Sequence, residues 1–123
     1  MQRYRFRRLI TVALDSIPEE LASRMENVVV IARNRPAPEE LRAAGIGPRG
    51  LLLGLYEGQP LTVRSSYYGS TLPDRIFIYQ QSIEAVCHGD EDAMVRQIRK
   101  TVVHEVAHHF GIDDDRLHEI DRY

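Results

Sequence analysis

His104-Glu105-Val106-Ala107-His108 sets two imidazoles four residues apart, with a carboxylate next to the first. In a helix that spacing puts both rings on one face, a single turn apart. Two neutral imidazoles so placed can reach one Zn2+, and the adjacent Glu is positioned to work on a water at the ion. Gly111 follows closely and can end the helix through the left-handed backbone that other residues avoid. The chain can then return a side chain toward the imidazoles, and Asp114 stands where such a return would deliver a carboxylate. Asp113 and Glu119 compete with it for that place, and His118 is also close. Two imidazoles and one carboxylate leave one tetrahedral position open, as a catalytic zinc site requires.

The element that must carry this set is a long helix beginning after Asp90, whose side chain suits an N-cap, with Glu91 and Asp92 in the first turn. At about 100° per residue, Val95, Ile98, Val102, Val106 and Phe110 form an apolar stripe. His104 and His108 fall nearly opposite that stripe. The helix can therefore pack its Val/Ile face on a sheet while both imidazoles face a cleft. Glu105 lies at the edge of the histidine face. His109 points elsewhere and reads as structural, not as a ligand.

Further upstream, Phe6, Leu9, Ile10, Ala13 and Leu14 recur at helical spacing. Ser16-Ile17-Pro18-Glu19-Glu20 reads as the start of a second helix, with Ser16 as its cap. Val28-Val29-Val30-Ile31-Ala32 reads as a buried strand, and residues 39–44 as a brief helix. Leu51-Leu52-Leu53-Gly54-Leu55-Tyr56 reads as a second strand, turned by Glu57-Gly58-Gln59-Pro60 toward a hairpin partner at Leu61-Thr62-Val63-Arg64. Ser65-Ser66-Tyr67-Tyr68-Gly69-Ser70-Thr71 has the composition of an exposed loop. Arg75-Ile76-Phe77-Ile78-Tyr79-Gln80 is the third strand, and residues 82–87 a helical turn. Short connections between the strands predict an α+β fold, with a small mixed sheet of three to four strands packed with helices and the histidine helix near the C-terminus.

The chain has 123 residues, which predicts one domain over 1–123. A net charge of −2 gives no general attraction to nucleic acid or anionic lipid, so nucleic acid is not an expected partner. Cys87 is alone, which excludes an intrachain disulfide and a cysteine metal cluster. No apolar run reaches the roughly 18 residues of a membrane span, and the basic start is not followed by a secretory signal. The expected location is cytoplasmic, with no membrane partner. Arg3, Arg5, Arg7 and Arg8 form a basic cluster that reads as a solvated helix end, with a nucleic-acid arm and a segment covering the metal site as the sharper alternatives.

The run His104-Glu105-x-x-His108-x-x-Gly111-x-x-Asp114 resembles the extended signature of the metzincin-type zincin metallopeptidases, in the variant with Asp as third ligand. Together with Leu55-Tyr56-Glu57-Gly58 and Leu72-Pro73-Asp74-Arg75-Ile76, it is similar to a family of very small bacterial minimal zincins. The resemblance implies a zincin-like fold and a zinc cofactor held by His104, His108 and Asp114. It also implies Glu105 as general base in hydrolysis of a peptide or protein substrate.

Two other readings use the same residues. One is a non-catalytic metal-binding or regulatory module on the same scaffold, to which so short a chain is suited. The other is a metal-dependent endoribonuclease, since small bacterial proteins that mature ribosomal RNA carry His-x-x-x-His-x-x-Gly-x-Asp-His. That pattern has no Glu after its first His and places a third His where this chain has Asp114. For the peptidase reading, Tyr67, Tyr68 and His88 are candidate oxyanion donors, and residues 75–80 or 61–64 a candidate sheet edge for the substrate.

Overall fold

Apolar residues at helical spacing near the N-terminus produce α1 (Arg3–Asp15), which buries Phe6, Leu9, Ile10 and Ala13. The computed structural model describes residues 1–59 and 72–121. After α1 come α2 (Glu19–Ala22), a 3-10 turn (Ser23–Met25), β1 (Val28–Arg33), α3 (Pro38–Ala43) and β2 (Gly54–Glu57). Then follow β3 (Asp74–Tyr79), α4 (Gln80–Cys87), α5 (Glu91–His109) and α6 (Asp114–Ile120). The strands lie in the order β1-β3-β2, with β1 parallel and β2 antiparallel to β3. This is the expected α+β arrangement with a small mixed sheet.

Several local expectations are corrected. Ser16 does not cap the second helix: its hydroxyl donates to the Ala13 carbonyl at 2.8 Å and closes α1 instead. The fixed φ of Pro18 opens α2 without a side-chain cap. Residues 51–53 precede β2 without joining it. The first strand is not fully buried: among the described residues β1 pairs with β3 alone, and its Val29 is exposed. The strand at 75–80 is not an edge, since β3 is paired on both sides. Its Ile76, Phe77, Ile78 and Tyr79 are completely enclosed, so the uninterrupted apolar run marks a central strand. The expected hairpin partner at 61–64 and loop at 65–71 lie outside the described residues.

Helix α5 starts as expected, with the Asp90 carboxylate accepting from the N–H groups of Asp92 at 3.0 Å and Ala93 at 3.3 Å. It stops at a left-handed Gly111 (φ 69°). There the Gly111 N–H donates to the His108 carbonyl and the Ile112 N–H to that of Ala107, the paired bonds of a Schellman closure. Its buried set is broader than the wheel stripe: Met94, Ile98, Thr101, Val102, Val103, Val106 and Ala107. The sheet covers one side through β2 and β3, and α1 covers another. Phe110 lies past the helix end and is partly exposed, packed edge-on to His109 with the Arg24 guanidinium 5.7 Å from its ring. Between these covered sides one narrow ridge of α5 stays open to solvent.

The basic N-terminus does not cover that ridge. Arg3 donates to the Ala32 carbonyl and the Gln80 side chain, and Arg5 pairs with Glu91 at 2.5 Å in the first turn of α5. Arg3 thus ties α1 to β1 and α4, and Arg5 holds the end of α5 farthest from His108. Cys87 is buried at the end of α4, where burial and the nearby Asp90 charge push its thiol upward. Among the described residues no helix is long and apolar enough to cross a membrane.

Candidate metal centre

The open ridge of α5 presents the two imidazoles side by side. His104 and His108 are both exposed, their ring centroids 6.2 Å apart and their planes at 63°. Neither ring has a hydrogen-bond partner among the described residues, so the nitrogen lone pairs are available to an ion. The one-turn interval and free donors suit a pair of imidazoles that could close on one ion by side-chain rotation.

Glu105 leaves the ridge on the side facing β2. It is half-buried, and desolvation raises its carboxyl above the ordinary range, with the His108 charge pulling less strongly the other way. It shares a groove of about 430 Å3 with Leu51, Leu53, Gly54, His104 and His108. On the other flank of the ridge, a larger groove of about 930 Å3 runs between α5 and α6, bordered by Lys100, Val103, His104, Asp114, Leu117 and His118.

Helix α6 holds Asp114 on that second flank. Leu117 anchors it in the core, Arg99 of α5 pairs with Asp121, and Arg116 pairs with Glu20 of α2 at 2.6 Å. The acidic residues around the turn are used differently. Asp113 caps α6 by accepting the Arg116 N–H at 2.8 Å, and Glu119 accepts from the Arg116 guanidinium at 2.9 Å. The Asp114 carboxylate has no hydrogen-bond partner among the described residues. The imidazole pair is thus assembled, whereas among the described residues no group of three donors is gathered within reach of one ion.

A cluster that the sequence did not reveal locks the C-terminal turn of α5 to the sheet. The His109 ring stacks on Tyr56 of β2, with centroids 3.9 Å apart and planes 13° from parallel. Its Nε2 lies 3.7 Å from the buried Asp74 carboxylate, which accepts from the Tyr56 hydroxyl at 2.6 Å and the Gln59 N–H at 2.9 Å. His109 is therefore structural, as its position on the wheel suggested. Asp74→Asn turns an amide N–H toward one of these donors, and should cost about 2 kcal/mol, the scale of a buried hydrogen bond to a charged group. An unchanged urea midpoint would show that the clamp contributes nothing to stability.

Of the candidate oxyanion donors, His88 sits before the start of α5 in a left-handed conformation (φ 51°). The rise of about 1.5 Å per residue puts it roughly 20 Å from His104, too far to serve the same site. Tyr67 and Tyr68 lie outside the described residues.

Residues 25–123 match the sequence model of a family described as Zincin-like metallopeptidase. Among solved structures, a conserved hypothetical protein from Thermus thermophilus is similar, with a TM-score of 0.55 and 24% identity. The match covers 89% of this chain and 94% of that one. At that identity the likeness is one of fold. No curated protein matches the chain.

Proposed function

The chain belongs to the zincin-like metallopeptidase family, and from that footing we propose that it hydrolyses peptide bonds at a zinc ion held by His104, His108 and Asp114. The observation that carries this reading is the two exposed imidazoles on one face of α5 with the half-buried Glu105 beside them. Zinc, when bound, supplies a Lewis acid. Glu105 is the general base: it takes a proton from the attacking water and passes it to the leaving amine. Desolvation suits it to that exchange, because a carboxyl raised above its ordinary range holds the proton more readily and is the better base. Asp114 is preferred as third ligand over Asp113 and Glu119, whose carboxylates already serve the α6 cap and Arg116. Its carboxylate would turn from the α6 flank toward the ridge.

The candidate strand edge for the substrate is β2, since β3 is paired on both sides. Among the described residues β2 pairs with β3 alone, and its first residue, Gly54, borders the groove that contains Glu105. An extended peptide lying along that edge would be held by main-chain hydrogen bonds.

Zinc competition against a chromogenic chelator tests the ligand set. His104→Ala and His108→Ala should each abolish binding at micromolar zinc. Asp114→Ala should weaken it at least about tenfold, or about 1.4 kcal/mol, while Asp113→Ala and Glu119→Ala leave it unchanged. A wild-type chain that binds no zinc would overturn the proposal. Zinc binding without cleavage of any member of a peptide library would favour the non-catalytic module.

A further inference from the structure

We propose that the site selects acidic peptides, with Lys100 and Arg96 receiving carboxylate side chains at alternate residues to one side of the cleaved bond. This names the substrate class of the reading above and rests on it.

Arg96, Lys100, His104 and His108 recur every four residues, and all four are exposed. With Asp92 one turn earlier, they form the ridge of α5 that is open, among the described residues, between the α1-covered and sheet-covered sides. Each step also turns about 40° around the helix, so Lys100 stands next to His104 and Arg96 one step farther round, toward the groove beside α6. Lys100 borders both flanking grooves together with His104, and Arg96 borders the larger one. Neither cation has a carboxylate partner among the described residues.

The neighbouring charges do not cancel them. Arg99 and Asp121 neutralise each other, and Asp114 is committed to the ion under the proposal above. Asp92, exposed one turn before Arg96, closes the far end of the row with one negative charge, so the cations nearest the imidazoles are Lys100 and then Arg96. Lys100 is also the only lysine in a chain whose other basic residues are all arginine.

Spacing points to an extended peptide. Successive ridge residues are separated by about 6 Å along the helix axis. Alternate side chains of an extended strand, which face the same way, are separated by about 6.8 Å. A strand with its scissile bond at the imidazoles therefore brings one same-facing side chain near Lys100 and the next near Arg96. Two cations make a short footprint for a nucleic-acid backbone, whose binding usually draws on a wider basic surface. The Glu105 carboxylate would also repel a phosphate placed at the imidazoles.

Fluorescence anisotropy tests this with the 123-residue chain in its Glu105→Gln form, using fluorescein-labelled ten-residue peptides. One series carries Glu at alternate positions and its control carries Gln. The Glu peptides should bind about threefold to tenfold tighter at low salt, the scale of two exposed charge pairs, with the preference fading as salt rises. Lys100→Glu and Arg96→Glu should each reduce the preference, and the double reversal should invert it. Because both residues are exposed, folding should survive, and Lys100→Gln provides a milder check. Equal binding of Glu and Gln peptides overturns the proposal. So does a preference untouched by the reversals, or tighter binding of a single-stranded oligonucleotide of equal charge. Digestion by the zinc-loaded wild type separates this inference from the reading beneath it. Acidic peptides bound with the predicted dependence but never cut would sink the peptidase reading while sustaining the charge ladder. Neutral and acidic peptides cut equally well would sink the ladder alone.

Discussion

Glu105→Gln in the zinc-loaded chain should reduce peptide cleavage by about 10²- to 10⁴-fold, the range expected when a general acid–base group is removed. Zinc affinity should be unchanged, because the carboxylate faces the β2 groove rather than standing in line with the imidazoles. Glutamine keeps the shape and one oxygen of the side chain but cannot accept and return the proton. Loss of fold would not explain the result. Burial already disfavours the Glu105 charge, so a neutral isostere should leave the zinc-free chain at least as stable as wild type. Initial rates on a cleaved peptide, with zinc content and urea midpoint measured on the same samples, check all three statements. Equal rates for wild type and variant would remove Glu105 from the chemistry.

The histidine helix is legible in the sequence because everything that defines it is local. Asp90, the apolar spacing and Gly111 lie within one continuous stretch; Asp90 and Gly111 start and stop the helix, and the stripe buries Ile98, Val102 and Val106, with Phe110 left partly exposed past the helix end. Strand order is not legible, because it depends on which segments meet. The β1 run and the β3 run are both short and apolar, yet among the described residues one is paired on a single side and the other on both. The enclosed Tyr79 marks the difference, and it follows from cover provided by distant elements. Ser16 departs from expectation for a related reason: a serine between two helices can serve either, and here its hydroxyl reaches back to Ala13.

The site divides along the same line. Two imidazoles follow from a four-residue interval on one helix. A third donor depends on how α6 folds back, and that is fixed by Leu117, Arg99–Asp121 and Arg116–Glu20, contacts drawn from three helices. The Tyr56–Asp74–His109 clamp joins three separated segments and has no local signature. Arg96 and Lys100 are visible in the sequence as basic residues, but their alignment with the imidazoles acquires meaning only once the remaining faces of α5 are covered.

Gly54→Ala should destabilise the chain by about 1–3 kcal/mol, the usual cost of overpacking a closed contact. This glycine is needed for space, since its φ is not positive and no turn depends on it. A Cβ there would lie 2.6 Å from Thr101 Cγ2, 2.9 Å from the Phe77 carbonyl oxygen and 3.2 Å from Ile78 Cδ1. Thr101 cannot readily rotate away, because it is buried and its hydroxyl donates to the Gln97 carbonyl at 2.8 Å. The Phe77 carbonyl belongs to β3, the paired neighbour of β2. The added methyl must therefore push β2 and α5 apart, at the wall of the groove that holds Glu105. Thr101→Ser removes the contacting methyl and keeps the hydroxyl, so Gly54→Ala/Thr101→Ser should recover part of the loss. Recovery should be incomplete, because the backbone contact with Phe77 remains. A double-mutant cycle in urea isolates the coupling. Close additivity of the two changes would show that the helix and strand do not meet through this pair, and Gly54 would then have no role in setting the width of the site.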